Sequence, residues 1–324
     1  MAARGQDSGQ PDWAEVVDAL VRAHGSLAAV AERLAADRGH AEDLESVERA
    51  LRRLRLRGGL SGGKWGARVL RTFGLPAPVE ERLRFMGTYH SRFVDLPLPL
   101  CADLVSLWDR PPTSESRLGR LWLGLARLTL ALRARDLDEA RRLVACLAPL
   151  ADADPAGRVE LLLGEAYLAS EAAPGVLPEA LAAAEAALAP STGDDRHDLA
   201  ARLVGQVAWA LNRAGRCAEA EARLLALPDG PEVPAFARAR RANGLAYARH
   251  RAGDADAALA LARESARHAG DAGHVRLRAM ALLMIARVAT DPAERADARA
   301  RARQIARALA DPVLLVRAAP THGA

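Results

Sequence analysis

Residues 242–266 read ANGLAYARHRAGDADAALALARESA. Apolar positions recur every three or four residues on both sides of Gly253–Asp254, the pattern of helix, tight turn, helix. Related units stand at residues 127–149 (RLTLALRARDLDEARRLVACLAP), 161–190 (LLLGEAYLASEAAPGVLPEALAAAEAALAP) and 207–227 (VAWALNRAGRCAEAEARLLAL). Aligned on an alanine of the second helix, they give Ala140, Ala180, Ala220, Ala258 and Ala298, at steps of 40, 40, 38 and 40. Ala102 extends the series backward by 38. In a chain with 74 alanines a single match is cheap, so the flanking positions carry the case. Gly175, Gly215 and Gly253 stand five residues before the aligned alanine, where a tight turn needs a backbone free to take positive φ. Val144 and Leu147, Ala184 and Ala187, and Leu224 and Leu227 follow at four and seven residues, on one helical face.

The whole chain agrees with that reading. Of 324 residues half are hydrophobic but only 4% are aromatic, and alanine, leucine, arginine and glutamate dominate. That composition favours helices and argues against a sheet protein. The expected class is all-α. Lys64 is the only lysine, a bias that fits a GC-rich bacterial genome. The opening MAARGQDSGQPDW lacks the apolar stretch of a signal peptide, and no run of about 18 apolar residues spans a membrane. A cytoplasmic protein is expected.

The repeat units resemble the tetratricopeptide family. Leu163–Gly164 with Tyr167 matches its first-helix motif, and Gly215 with Ala220 and Gly253 with Ala258 match its second. The period is 38–40 rather than that family's 34. The resemblance implies helical hairpins stacked as a right-handed superhelix, an α-solenoid, of the kind found in the sensor arrays of bacterial transcription activators. It also implies that first-helix positions on the concave side receive a protein or peptide. Carried over unit by unit, these are Arg202, Trp209, Asn212 and Arg213, then Arg240, Asn243, Tyr247, His250 and Arg251. Arginine with asparagine suits an acidic peptide or a free carboxylate. A plain solvated face is the alternative, and Trp209 and Tyr247 equally suit inter-repeat packing.

Four sections follow: a polar tail (residues 1–11), a helical domain (12–77), the repeat array (78–310) and a C-terminal tail (311–324). The helical domain holds three amphipathic patterns. WAEVVDALVRAHG carries Trp13, Val16, Val17 and Leu20, SLAAVAERLAAD starts at a good N-cap in Ser26, and DLESVERALRRLRLRG aligns Leu44, Val47, Leu51 and Leu54. A short helix through Arg68–Phe73 closes the domain. Between Arg49 and Arg71 stand seven arginines and Lys64, with no acidic residue from position 49 to 79. The second and third patterns resemble a helix-turn-helix or winged-helix domain, although the link DRGHAED is long and Glu45 and Glu48 open the third helix. The resemblance implies DNA contacts by Arg49, Arg52, Arg53, Arg55 and Lys64. A helical cap with solvated arginines and an acidic protein surface are the competing readings.

Other motifs favour ordinary explanations. GGLSGGKW (residues 58–65) contains the G-x4-G-K spacing of a phosphate loop, but an arginine-rich helix precedes it and Trp65 replaces the magnesium-binding hydroxyl. His268 and His274 read as exposed loop residues. Cys101, Cys146 and Cys217 read as buried thiols without a neighbouring base. No catalytic residue, metal ligand or cofactor is indicated. The expected function is a non-enzymatic adaptor or transcription regulator. The alternative is a pure protein–protein scaffold whose N-terminal helices cap the array.

Overall fold

The computed structural model describes residues 12–36, 43–74, 77–110, 113–173, 176–189 and 193–319. Among these residues the protein is all-helical, without a strand. The first four helices are α1 (Trp13–His24), α2 (Leu27–Ala35), α3 (Leu44–Arg55) and α4 (Gly63–Phe73). Asp12, Ser26 and Asp43 start the first three by accepting backbone N–H groups of the first turn. Trp13, Val16, Val17, Val47, Leu51 and Leu54 are buried as their spacing requires. Leu44 is 46% exposed, because α3 has only just begun there and its first turn projects past the core. The fourth helix starts at Gly63 rather than near Arg68. Trp13 lies flat on the glycine-rich loop, its N–H donating to Gly58 O and its indole Nε1 to Leu60 O, both at 2.9 Å. A side chain at Gly62 would collide with the indole. Gly62 serves this contact, whereas Gly58 and Gly63 take φ of 53° and 55°.

The array follows as α5 (Ala77–Gly87), α6 (Leu98–Trp108), α7 (Arg117–Ala134), α8 (Leu137–Leu147), α9 (Pro155–Ala172), α10 (Glu179–Leu188), α11 (Gly193–Arg213) and α12 (Cys217–Leu225). It ends with α13 (Ala235–Arg251), α14 (Ala255–Asp271), α15 (Val275–Val288), α16 (Pro292–Ala308) and α17 (Pro312–Arg317). From α7 to α16 successive helices pack in pairs. The first helices of neighbouring pairs, α7, α9, α11, α13 and α15, also pack on one another. This is a helical-repeat arrangement, and alanine makes it tight: Ala140, Ala220, Ala258 and Ala298 are all at most 3% exposed.

The alanine register slips in two units. Ala102 is exposed and Ala180 half-buried, while Cys101 and Leu181 take the inner position. Gly215 and Gly253 adopt φ of 79° and 84° in their turns, as expected, whereas Gly175 lies outside the described residues. At the equivalent turn between α7 and α8 the left-handed residue is Arg135, with φ 64°. Its guanidinium is held by Tyr167 and Glu171, at 2.9 and 2.8 Å.

Two features were not expected. The segment Thr88–Pro97 between α5 and α6 crosses the first helices of later pairs. His90 reaches α9, α11 and α13, Tyr89 reaches α11 and α15, and Arg92 donates to Ala272 O. The last described residues also return to early helices of the array. Leu98 N donates to Leu309 O at 2.9 Å. Asp311, fully buried, accepts from Arg276 Nε at 2.8 Å and sits 3.7 Å from Arg133 Nε. Residues 311–319 are therefore no tail: Asp311 caps α17 through Leu314 N, and Leu314 and Ala318 are buried. A six-residue helix is too short to show periodicity, and its anchors lie far away in sequence.

Candidate functional site

Helix α3 buries Val47, Leu51 and Leu54 against α1 and α2, which turns the opposite side of the helix outward. Arg49 and Arg53 are four residues apart there, and Arg57 continues the row just past the helix end. With Ser46 and Trp65 they line an open cleft of about 300 Å³ between α3 and the start of α4. Arg57 is steadied by donating to Ser61 O at 2.6 Å. The half-buried Trp65 ring forms the floor, with Arg68 Cζ 5.2 Å and Lys64 Nζ 5.7 Å from its centre. Arg68 itself is buried and donates to Leu34 O at 2.9 Å, tying α4 to α2.

The five basic residues expected to meet a partner are not equivalent. Arg49 pairs with Glu45 at 3.1 Å, Arg52 with Glu48 at 2.5 Å, and Arg55 with Asp18 at 2.9 Å. Arg53 makes no hydrogen bond or ion pair with any described residue. Lys64 makes no hydrogen bond or ion pair with any described residue, and its ammonium lies over the Trp65 ring. Leu56 and Leu60, 86% and 67% exposed, stand on the turn beside the cleft.

The nine array residues also divide. Arg202 is buried, ion-paired with Glu160 and 3.3 Å from His90 Nδ1. Burial would raise the Glu160 carboxyl, but Arg202 and His90 outweigh it and hold the group at about 2. Asn212 and Asn243 each keep a buried Oδ1 without a protein partner. Arg240 is half-buried against Phe236. Toward the C-terminal ends of α11 and α13 the rest are more accessible. Trp209 stacks on Tyr167 with centroids 6.4 Å apart, Arg213 covers Trp209 at 4.9 Å, and Arg251 is exposed. Tyr247 packs partly into the core. His250 is depressed by partial burial, then by Arg287 and Arg251.

Sequence reasoning missed Glu160 and the segment around Tyr89 and His90. Glu160 had a signal: it is the one charge inside the run VELLLG, and a buried carboxylate needs a cation. Neither His268 nor His274 is an exposed loop residue: His268 lies half-buried within α14, 3.4 Å from Glu264, and His274 packs edge-on against Phe236 at 5.2 Å and lies 3.4 Å from Asp95. Cys101 is buried, donating to Phe93 O, and burial pushes its thiol up. Cys146 is exposed and Cys217 intermediate, contrary to expectation, because their helices show those positions to solvent. Among the described residues no group of three or more His, Cys, Asp or Glu could hold a metal ion, and no helix is long and apolar enough to cross a membrane. No protein-family model matches the chain, and no curated protein matches it either, so the functional reading rests on its own geometry.

Proposed function

We propose that this protein is a cytoplasmic, non-enzymatic adaptor or transcription regulator, in which a helix-turn-helix-like domain meets DNA and a tetratricopeptide-like array meets a protein. The array is read as a right-handed α-solenoid of helical hairpins. The observation that carries the DNA reading is the row Arg49, Arg53 and Arg57 over a cleft floored by Trp65, with Arg53 unengaged. Guanidiniums spaced along one helix side suit successive phosphates, and an aromatic floor adds a surface for a sugar or base. For the array, the accessible positions Trp209, Arg213, His250 and Arg251 are the ones a protein or peptide, acidic or with a free carboxylate, would reach first.

Fluorescence anisotropy of labelled duplex DNA, titrated at several salt concentrations, tests this. Binding should weaken steeply with salt. Changing Arg49, Arg53 and Arg57 together to alanine should flatten the log–log slope by about 3. Salt-independent binding, or a slope unchanged in the variant, would refute it.

A second reading, a protein–protein scaffold whose N-terminal helices cap the array, is supported by two observations. The apolar core runs unbroken from Trp13 through the first pairs to Leu168. Leu56 and Leu60 also offer an apolar tip that suits a protein better than DNA. On this reading DNA binds no more tightly than other polyanions. Leu56→Ser with Leu60→Ser then abolishes partner capture.

A further inference from the structure

Three guanidiniums gather around the Tyr89 ring inside the array. Arg202 Cζ lies 5.0 Å and Arg276 Cζ 5.3 Å from its centre, and Arg240 is close enough to both that they disfavour its charge. Two of the three have carboxylates: Arg202 has Glu160 and Arg276 has Asp311. Arg240 has none. It makes no hydrogen bond or ion pair with any described residue, and its Cζ lies 5.9 Å from the centre of the Phe236 ring. Burial and the two neighbouring arginines bring its pKa down to about 10, so the group is still a cation at neutral pH.

A Cβ at Gly205 would lie 3.1 Å from an Arg240 terminal nitrogen, so the guanidinium lies close to the α11 backbone at that glycine. It borders a small cavity bounded by Tyr89, Asp95, Phe236, His274 and Arg276. The space open to the centre of a water-sized sphere is about 20 Å³, room for one such particle. Asp95, the acidic residue of that wall, accepts from Arg276 N at 2.7 Å through Oδ1, while its buried Oδ2 lies 3.4 Å from His274 Nδ1 and makes no hydrogen bond with any described residue. The chain's own Tyr89 and Asp95 form one side of the cavity.

We infer that the Arg240 cavity is a binding site for a single halide-sized monovalent anion, chloride being the abundant one. An arginine with no carboxylate of its own, beside two other guanidiniums, offers its N–H donors to an acceptor of that size. The site is structural: the ion offsets mutual repulsion among Arg202, Arg240 and Arg276 where α11, α13 and α15 meet the Thr88–Pro97 segment.

The test compares thermal melting of the full chain in sodium chloride, sodium bromide and sodium gluconate at equal ionic strength. Chloride and bromide should raise the midpoint by about 2–4 °C at ten times the dissociation constant, while gluconate, too large for the cavity, should not. Arg240→Met should lose the halide dependence, and Arg240→Lys should keep part of it. Crystals of the unaltered protein grown in bromide should show an anomalous peak beside Arg240, a result independent of whether either variant folds. Equal melting in all three salts, or density for water alone in the bromide crystals, would overturn the proposal.

Discussion

Arg133, Arg202 and Arg276 lie inside the array at 1%, 6% and 8% exposure, each beside a carboxylate contributed by a distant helix or turn. Arg49, Arg52 and Arg55 lie on the outside of α3, more than half exposed, and pair with Glu45, Glu48 and Asp18. The same side chain does different work in the two places. In the interior, removing one member of a pair strands a desolvated charge. On α3 the pairs contribute little to stability, and a competing phosphate can replace the carboxylate. Arginine inside this protein holds helices to one another, and arginine on α3 is available to something else.

That contrast is easiest to break at Asp311. Asp311→Ala strands both Arg133 and Arg276 and removes the α17 cap, so unfolding stability should fall by about 3–5 kcal/mol in denaturant melts. Amide exchange at Leu98 should accelerate as its bond to Leu309 opens. A loss below 1 kcal/mol would mean that the interior pairs behave like surface ones.

Acid tests the same interior next. The folded Glu160 carboxyl sits at about 2, against an ordinary 4.5. Its folded value is depressed, so its stabilisation is fully present above pH 4.5 and drains away as pH falls toward 2. The loss should be on the order of 3 kcal/mol. Glu160→Gln should be less stable at neutral pH and flatter across that window, which paired melts at pH 2.5 and 6 would reveal.

On the outer face the differences should appear in binding rather than folding. Arg53→Ala should weaken polyanion association more than Arg52→Ala, because Glu48 already offsets Arg52 while no described residue pairs with Arg53. Both variants should melt within about 0.5 kcal/mol of the unaltered chain. Equal binding losses would show that the cleft does not select among its arginines.

The smallest effect belongs to Arg135. Arg135→Gly relieves a left-handed backbone worth about 1 kcal/mol but gives up the exposed contacts to Tyr167 and Glu171, so the net change should stay under 1 kcal/mol.

These contrasts also explain what could be read without coordinates. Trp13, Val16, Val17 and Leu20 announce their own helix side because polar residues separate them, and their burial follows from local spacing alone. The slip at Cys101 and Leu181 arose where alanine surrounds alanine and neighbouring positions offer no contrast. On α3 the run of arginines was legible, but not which of them share a side: Arg57 lines the cleft without having been expected there, while Arg52, Arg55 and Lys64 were expected and do not line it. Arg202 was legible only as a polar first-helix position. Its partners Glu160 and His90 are 42 and 112 residues away, and nothing local distinguishes an arginine that will face solvent from one that will face them. The Tyr89–Asp95 segment has no period at all, and its contacts are made entirely with distant helices.

The join between Leu98 and Leu309 carries an evolutionary consequence. An array whose ends are free can gain or lose a hairpin by duplication or deletion, because each unit answers only to its neighbours. Here Arg133 of α7 and Arg276 of α15 must arrive at one aspartate, and the Thr88–Pro97 segment must span the distance between their helices. Adding or removing one hairpin would carry Asp311 away from Arg133. The geometry therefore ties the number of units to one aspartate, a constraint it does not place on the individual repeat sequences.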